Sequence, residues 1–380
     1  MPAEIIYIEI GGDEISDIYP DLSSLEVELD DELAGMFRMR IGLELQSDGE
    51  WTHLDDERFQ VWQPVVIRAG FDQPDVDLIS GYITQVRPMF DPDPSRVYLD
   101  VWGMDKSVLL DREEKLKDWP NKKDSDIATE IFGLYGLSTT VDGGPSVEDT
   151  EVVHDEALST IIQRETDMQF LRRLALRNGY ECFVQGDVGY FRRPVVDETS
   201  QPVLAAHFGT QTTLNKFNIE VNALTPSNVA MYQVDRASKE TLEATISETA
   251  QTALGARTAD SFLTDDVNAA NNFVARNGAA SSPEMDALCQ GLYQRSEWFV
   301  NGEGEVDANL YNHVLMPRAT VTIKGIGEAY SGVYYVSHVS HVFYSGGYLQ
   351  KLKVKRNGLF PTGNEDFEAA GGGLLDAIGL

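Results

Sequence analysis

The sequence predicts an α+β protein in which two regions of short antiparallel strands flank a small helical unit. Three observations predict it. Residues 1–103 read as mostly β, with short runs of alternating apolar and polar residues, the period changes to helical spacing from Met104, and strand patterns return at 203–236 and 318–358.

In the first region Ile5–Ile10 alternates and ends at Gly11-Gly12-Asp13, and residues 24–29 alternate apolar with acidic. Residues 36–45 place Phe37, Met39, Ile41, Leu43 and Leu45 on one side, so one face packs and the other is wet. Runs at 61–71, 78–90 and 97–102, broken by Asp-Gln-Pro-Asp and Asp-Pro-Asp-Pro, complete a set of short strands of the kind that closes into a barrel or sandwich. From Met104 a short helical stretch is expected at 107–116. Asp124 or Ser125 then caps a helix carrying Ile127, Ile131, Leu134 and Tyr135 that ends at Gly136, and a third helix is expected at 156–163. Strands are expected again at 203–208, 216–221 and 229–234. Residues 237–309 are rich in Ala, Thr, Ser, Asn and Asp, with a helix around 285–295. The expected organisation is a first β domain at 1–103, a small α+β domain at 104–195, and a second β domain from 196–236 with 310–360. An inserted domain occupies 237–309 and a flexible Gly-rich tail 361–380.

The most specific stretch is Gln163-Arg-Glu-Thr-Asp-Met-Gln-Phe-Leu-Arg-Arg-Leu-Ala-Leu-Arg-Asn-Gly179. Thr166 reads as an N-cap with Gln169 positioned to complete a capping box, worth about 1 kcal/mol. Gly179 supplies the left-handed stop, and Gln185-Gly186-Asp187 turns a hairpin just beyond. Through Gln163, Glu165, Asp167, Phe170, Leu171, Leu174 and Gly179 this unit resembles the signature of the phage late control D family. Those proteins are baseplate hubs of contractile tails, and the N-terminal part of VgrG spike proteins is similar. The resemblance implies two tube-like antiparallel β-barrel domains plus two smaller domains, in a homotrimer that adapts a six-fold tail tube to a three-fold spike. It implies as partners further copies of the chain, the tail tube protein and other baseplate proteins. It also implies assembly in the host cytoplasm and a place in the baseplate of a virion tail or injection particle. No oligonucleotide-fold, needle or lysozyme segment follows residue 380, so the spike is expected to be a separate protein.

An internal repeat fits this. Residues 65–70, the Ser80-Gly81 turn and 97–102 can be laid over 321–325, Ser331-Gly332 and 349–354, each as strand, Ser-Gly, strand, loop, strand. Two related β units in one chain let three chains present six.

Composition narrows the chemistry. The net charge is −32, with 62 acidic residues against 11 Lys and 19 Arg, which disfavours direct sequence-specific nucleic-acid binding; it suits either a salt-rich setting or plain solubility. Cys182 and Cys289 lie in unrelated segments and read as buried hydrophobes. No stretch approaches the ~20 apolar residues of a membrane span, and Met1-Pro-Ala-Glu does not begin a secretory leader. The acidic runs 30–32 and 55–57 read as solvated loops, His338 and His341 should face opposite ways on a strand, and no nucleophile, phosphate-loop or zinc-protease motif is present. No catalytic residue, metal or cofactor is therefore assigned. A carbohydrate- or cell-surface-binding β protein is the alternative reading, and a peptidoglycan hydrolase the third. One candidate assembly interface stands out: residues 311–358 hold six basic residues and one acidic, +5 in a chain of −32, and Lys351, Lys353 and Lys355 alternate with Leu352 and Val354. The stripe either meets an acidic partner surface or guards an edge strand against unwanted pairing.

Overall fold

The computed structural model describes residues 4–157, 160–222, 224, 228–235, 238–248, 251–264, 266–267, 269–274, 279 and 281–368. Its first strands are β1 (Ile5–Ile10), β2 (Asp13–Glu14), β3 (Leu22–Asp30), β4 (Met36–Gly42), β5 (Pro64–Gly70), β6 (Val76–Met89) and β7 (Tyr98–Asp105). They pair antiparallel in the order β3-β4-β7-β6-β5-β1-β2. Alternation decides the faces: Leu25, Val27 and Leu29 of β3 and Phe37, Met39 and Ile41 of β4 are buried while their neighbours are not. Each such side chain contributes roughly 1.5–3 kcal/mol by leaving water.

The middle of the chain holds β8 (Lys117–Trp119), α1 (Asp124–Leu134), β9 (Thr140–Val141), β10 (Gly144–Pro145), β11 (Ile161–Gln163), α2 (Asp167–Asn178), β12 (Glu181–Gln185) and β13 (Val188–Arg192) around a core of its own. The helix expected at 156–163 is not formed. Residues 161–163 are β11 instead, paired antiparallel with β8, because Ile161 and Gln163 are buried while Ile162 points out, a period of two; residues 158–159 lie outside the described residues. Asp124 is likewise not a cap. It sits inside the first turn of α1, buried, and accepts from His154 Nε2 at 2.7 Å and Asn178 Nδ2 at 2.7 Å.

Next come β14 (Gln201–Ala205), β15 (Leu214–Val221), β16 (Asn228–Val234), β17 (Thr241–Ile246), β18 (Asn271–Phe273), α3 (Ser282–Ser296), β19 (Val300–Asp307), α4 (Ala308–Tyr311), β20 (Thr320–Lys324), β21 (Gly332–Tyr344) and β22 (Gly347–Arg356). Pairing divides them differently from the expected boundaries. β16, expected with the second β region, joins β17 and β18 in a separate sheet packed on α3, with Val229, Met231, Met285 and Cys289 in its core. β19, expected in the insertion, lies between β15 and β22 in the main sheet. Two stretches far apart in sequence thus trade places, which local composition cannot encode.

The main sheet is also not two separate antiparallel barrels. β21 pairs with β3 from His338↔Asp30 to Tyr344↔Ser24, so a continuous thirteen-stranded sheet runs from one β region into the other. Phe343 and Tyr348 pack into the first core across that seam. Within this sheet the pair β14 with β20 is parallel, as is β16 with β18 in the separate sheet. The internal repeat appears as a shared meander, β5-β6-β7 and β20-β21-β22. Its register differs, for Gly81 lies opposite Val65 whereas Gly332 lies opposite Ile323. Of the expected tail, residues 361–368 are described and the Phe367 carbonyl accepts from Lys324 Nζ at 3.0 Å, while 369–380 lie outside the described residues.

The stop of α2 generates a prediction. Gly179 has φ 69°, and a methyl there would stand 3.2 Å from the Gly291 Cα and 2.3 Å from Gln294 Oε1 of α3. Gly179→Ala is expected to destabilise by more than about 1 kcal/mol, through strain and lost α2–α3 approach. The check is a lowered urea midpoint at unchanged slope.

Candidate functional site

The signature residues prove to be internal anchors of α2. Thr166 accepts from the Gln169 amide at 3.3 Å, as expected, and its own hydroxyl is turned to Asp111. Gln163 is fully buried; its Oε1 accepts from Trp119 Nε1 at 3.2 Å and its Nε2 donates to Asp167 Oδ1 at 2.7 Å. Burial alone would raise the Asp167 carboxyl, but bonds from Lys115, Gln163 and Tyr135 hold it below the usual carboxylate range. Glu165 pairs with Arg173 Nε at 2.7 Å, Phe170 stacks on Trp119 at 6.2 Å, and Leu171 and Leu174 fill the core. At the far end Arg177 bridges Asp124 at 3.3 Å and Glu284 of α3 at 2.8 Å. All seven residues help to hold this unit together, and Gly179 also lies on the wall of a cleft.

Where the bodies meet, the structure gathers charged residues that the sequence reading missed. Glu181, 7 % exposed, accepts from the Tyr335 hydroxyl at 2.5 Å. Burial pushes its carboxyl up to about 7, against the pull of Lys355 and the Tyr335 bond. Arg318 lies 3.7 Å over the Phe183 ring and donates to the Asp30 carbonyl. Asp31 meets Lys355 at 2.5 Å, and Lys355 also faces the rings of Trp298 and Tyr335 at 5.1 and 5.2 Å. Burial raises Asp31 in spite of that ammonium, the usual balance when desolvation exceeds attraction. One sequence signal existed: Glu181 is the lone acid in the apolar run Tyr180–Val184, and an acid there needs a buried partner. Beside this cluster opens a cleft of about 640 Å³, walled by α2, β12, β13, Trp298 and Lys355.

The lysine stripe is real as an alternation, yet it is not on an edge. β22 lies between β19 and β21, so the edge-guarding explanation falls. Lys351 and Lys353 are exposed, with Glu305 and Glu303 as their neighbours on β19; Lys355 is tied to Asp31 inside the chain. Of the three, Lys351 and Lys353 remain available to a partner. His338 and His341 face opposite ways as expected: His338 pairs with Asp30 at 3.2 Å, while His341 is buried against the Tyr348 hydroxyl at 2.7 Å, burial lowering it to about 3. Among the described residues no group of three or more His, Cys, Asp or Glu is placed to hold a metal, and no helix is long and apolar enough to cross a membrane.

A family model described as the Alg8 N-terminal domain matches residues 5–344. The chain belongs to the Alg8 N-terminal domain family. No curated protein sequence matches it. Among solved structures, the 43 kDa tail protein of prophage MuSo2 from Shewanella oneidensis is similar with a TM-score of 0.67 at 14% identity, over 93% of this chain and 99% of that one. A tail protein from Neisseria meningitidis MC58 follows at 0.61 and 13%, over 94% and 98%. An Escherichia coli component of the type VI secretion system, described as structurally similar to T4 tail proteins, gives 0.54 and 12%, over 93% and 79%. At these identities the likeness is one of fold. This member of the Alg8 N-terminal domain family therefore has the fold of phage tail proteins, along nearly its whole length.

Two predictions follow from the junction. Lys355→Met leaves Asp31 buried without its cation and is expected to cost about 3–5 kcal/mol, whereas Lys351→Met and Lys353→Met stay within about 1 kcal/mol; chemical denaturation separates them. The second concerns pH. The Glu181 carboxyl is raised in the folded state from 4.5 to about 7, so its contribution is complete below pH 4.5 and is lost as pH rises through about 7. The stability difference between Glu181→Gln and the parent should therefore shift in favour of the variant by roughly 3 kcal/mol between pH 4.5 and 8, read from paired denaturation curves.

Proposed function

We propose that the chain is a structural, non-enzymatic baseplate hub of a contractile phage tail or phage-derived injection system. In this reading three copies adapt a six-fold tail tube to a three-fold spike. The observation that carries it is the fold likeness to two phage tail proteins over nearly the full length of both chains. The likeness to a type VI secretion component points the same way. The repeated meander adds a geometric reason, since three chains with two such units each offer six similar strand sets to a hexameric ring. The signature around α2 supports assignment to the late control D group, and the exposed pair Lys351 and Lys353 supports a contact with an acidic neighbour, a second copy or the tube. Such a contact contributes about 0.2–1 kcal/mol per exposed pair and acts mainly on encounter.

Electron microscopy of the assembled particle is the test. Three copies of the chain at the junction of tube and spike are expected, and two or six copies would overturn the hub reading. Lys351→Glu with Lys353→Glu is expected to slow or weaken assembly while leaving the chain folded.

A further inference from the structure

Where the two β regions join, an amine and a carboxyl are held in contact largely away from water. Lys355 Nζ lies 2.5 Å from Asp31 Oδ2, and the two side chains are 16 % and 7 % exposed. Asp31 directly follows β3, Lys355 is near the end of β22, and β21 runs between those strands. The rings of Trp298 and Tyr335 face Lys355 Nζ at 5.1 and 5.2 Å. Tyr335 is also its cross-strand neighbour, with a hydroxyl spent on Glu181 at 2.5 Å rather than on Asp31. The contact between Lys115 and Asp167 is comparably close but chemically different. Asp167 accepts further bonds from Gln163 and Tyr135, each at 2.7 Å, and these hold it in the charged form. Among the described residues Asp31 receives a hydrogen bond from Lys355 alone, and burial raises its carboxyl in spite of that ammonium.

Withdrawal from water penalises both charges of an ion pair and so favours the neutral amine and acid. One proton passing from Nζ to the carboxylate along the hydrogen bond gives that neutral pair, with the total charge of the site unchanged. Reacting atoms held about 3–3.5 Å apart in a fixed orientation gain an effective molarity of about 10⁵ M or more, and an amine hydrogen-bonded to a carboxyl group is near that separation from its carbon. The Nζ lone pair attacks Cγ of Asp31 and forms a C–N bond. A proton then moves from the nitrogen to the hydroxyl oxygen, the C–O bond breaks, and water leaves. One amine and one acid thus become one amide and one water, and no oxidant, reductant or cofactor is consumed. The cleft lined by both residues gives the water a way out. We propose that Lys355 and Asp31 condense into an amide, a self-made covalent strap that ties the end of β3 to β22 across β21.

The test is the intact mass of the purified full chain, measured under denaturing conditions after prolonged incubation of the folded protein at neutral pH. The chain is expected to be lighter than its sequence by one water. Cyclisation at Asp48-Gly49 would also release water, so the decisive readout is a tryptic digest. The expected product is a branched peptide in which the N-terminal fragment ending at Arg38 is joined to residues 354–356, left uncut after Lys355. Lys355→Arg keeps a cation beside Asp31 but offers no amine, and the branched peptide should be lost completely. Lys353→Met, on the exposed face of the same strand, should retain it. A chain incubated in urea throughout should not form it, because the contact exists only in the folded state. Full sequence mass with no branched peptide in the unmodified chain overturns the proposal without any substitution. So does a loss of water that persists in Lys355→Arg while no fragment joining Asp31 to Lys355 is found in the parent.

Discussion

The arrangement of the molecule depends on a few charges withdrawn from water where its parts meet. Asp30 and Asp31 come from the end of β3, Glu181 from the central hairpin, and Arg318, Tyr335 and Lys355 from the last β region. An unpaired buried charge costs several kcal/mol, which favours the placement in which Lys355 meets Asp31 and Tyr335 meets Glu181. Such a cluster is a weak source of net stability, since desolvation offsets the attraction.

The β3–β21 seam works with that cluster. Backbone hydrogen bonds across it are directional, and a slip by one residue would turn Leu25, Val27 and Phe343 outward together with every neighbour on their faces. β21 is long enough to serve both sides: its first residues pair with β20, and after a bulge near Ser337 the remainder pairs with β3. The polar face of that sheet carries Glu303 and Glu305 beside Lys353 and Lys351, charges of both signs in adjacent rows.

Much was legible in the sequence because it is local. The strands at 5–10, 24–29 and 36–42 follow from alternation, and α2 with its Thr166 cap and Gly179 stop follows from residues within one or two turns. So do the hairpin after it and the Ser-Gly meanders. The misreadings are of pairing: a helix was expected at 156–163 but residues 161–163 pair with β8, β16 pairs with the following β17 in a separate sheet, and β19 is drawn into the main sheet by β22, far along the chain.

The sequence by itself therefore determined many of the strands, helix α2 with its hairpin, the mostly antiparallel β character and the signature that carries the family resemblance, since propensity, period and capping act over a few residues. Tertiary structure alone decided that the two β regions form one sheet, that the lysine stripe is interior to that sheet, and that Lys355 belongs to Asp31. Those facts rest on which distant strands pair and which buried charges meet. That choice is made by burial and desolvation over the whole chain, and no local stretch records it.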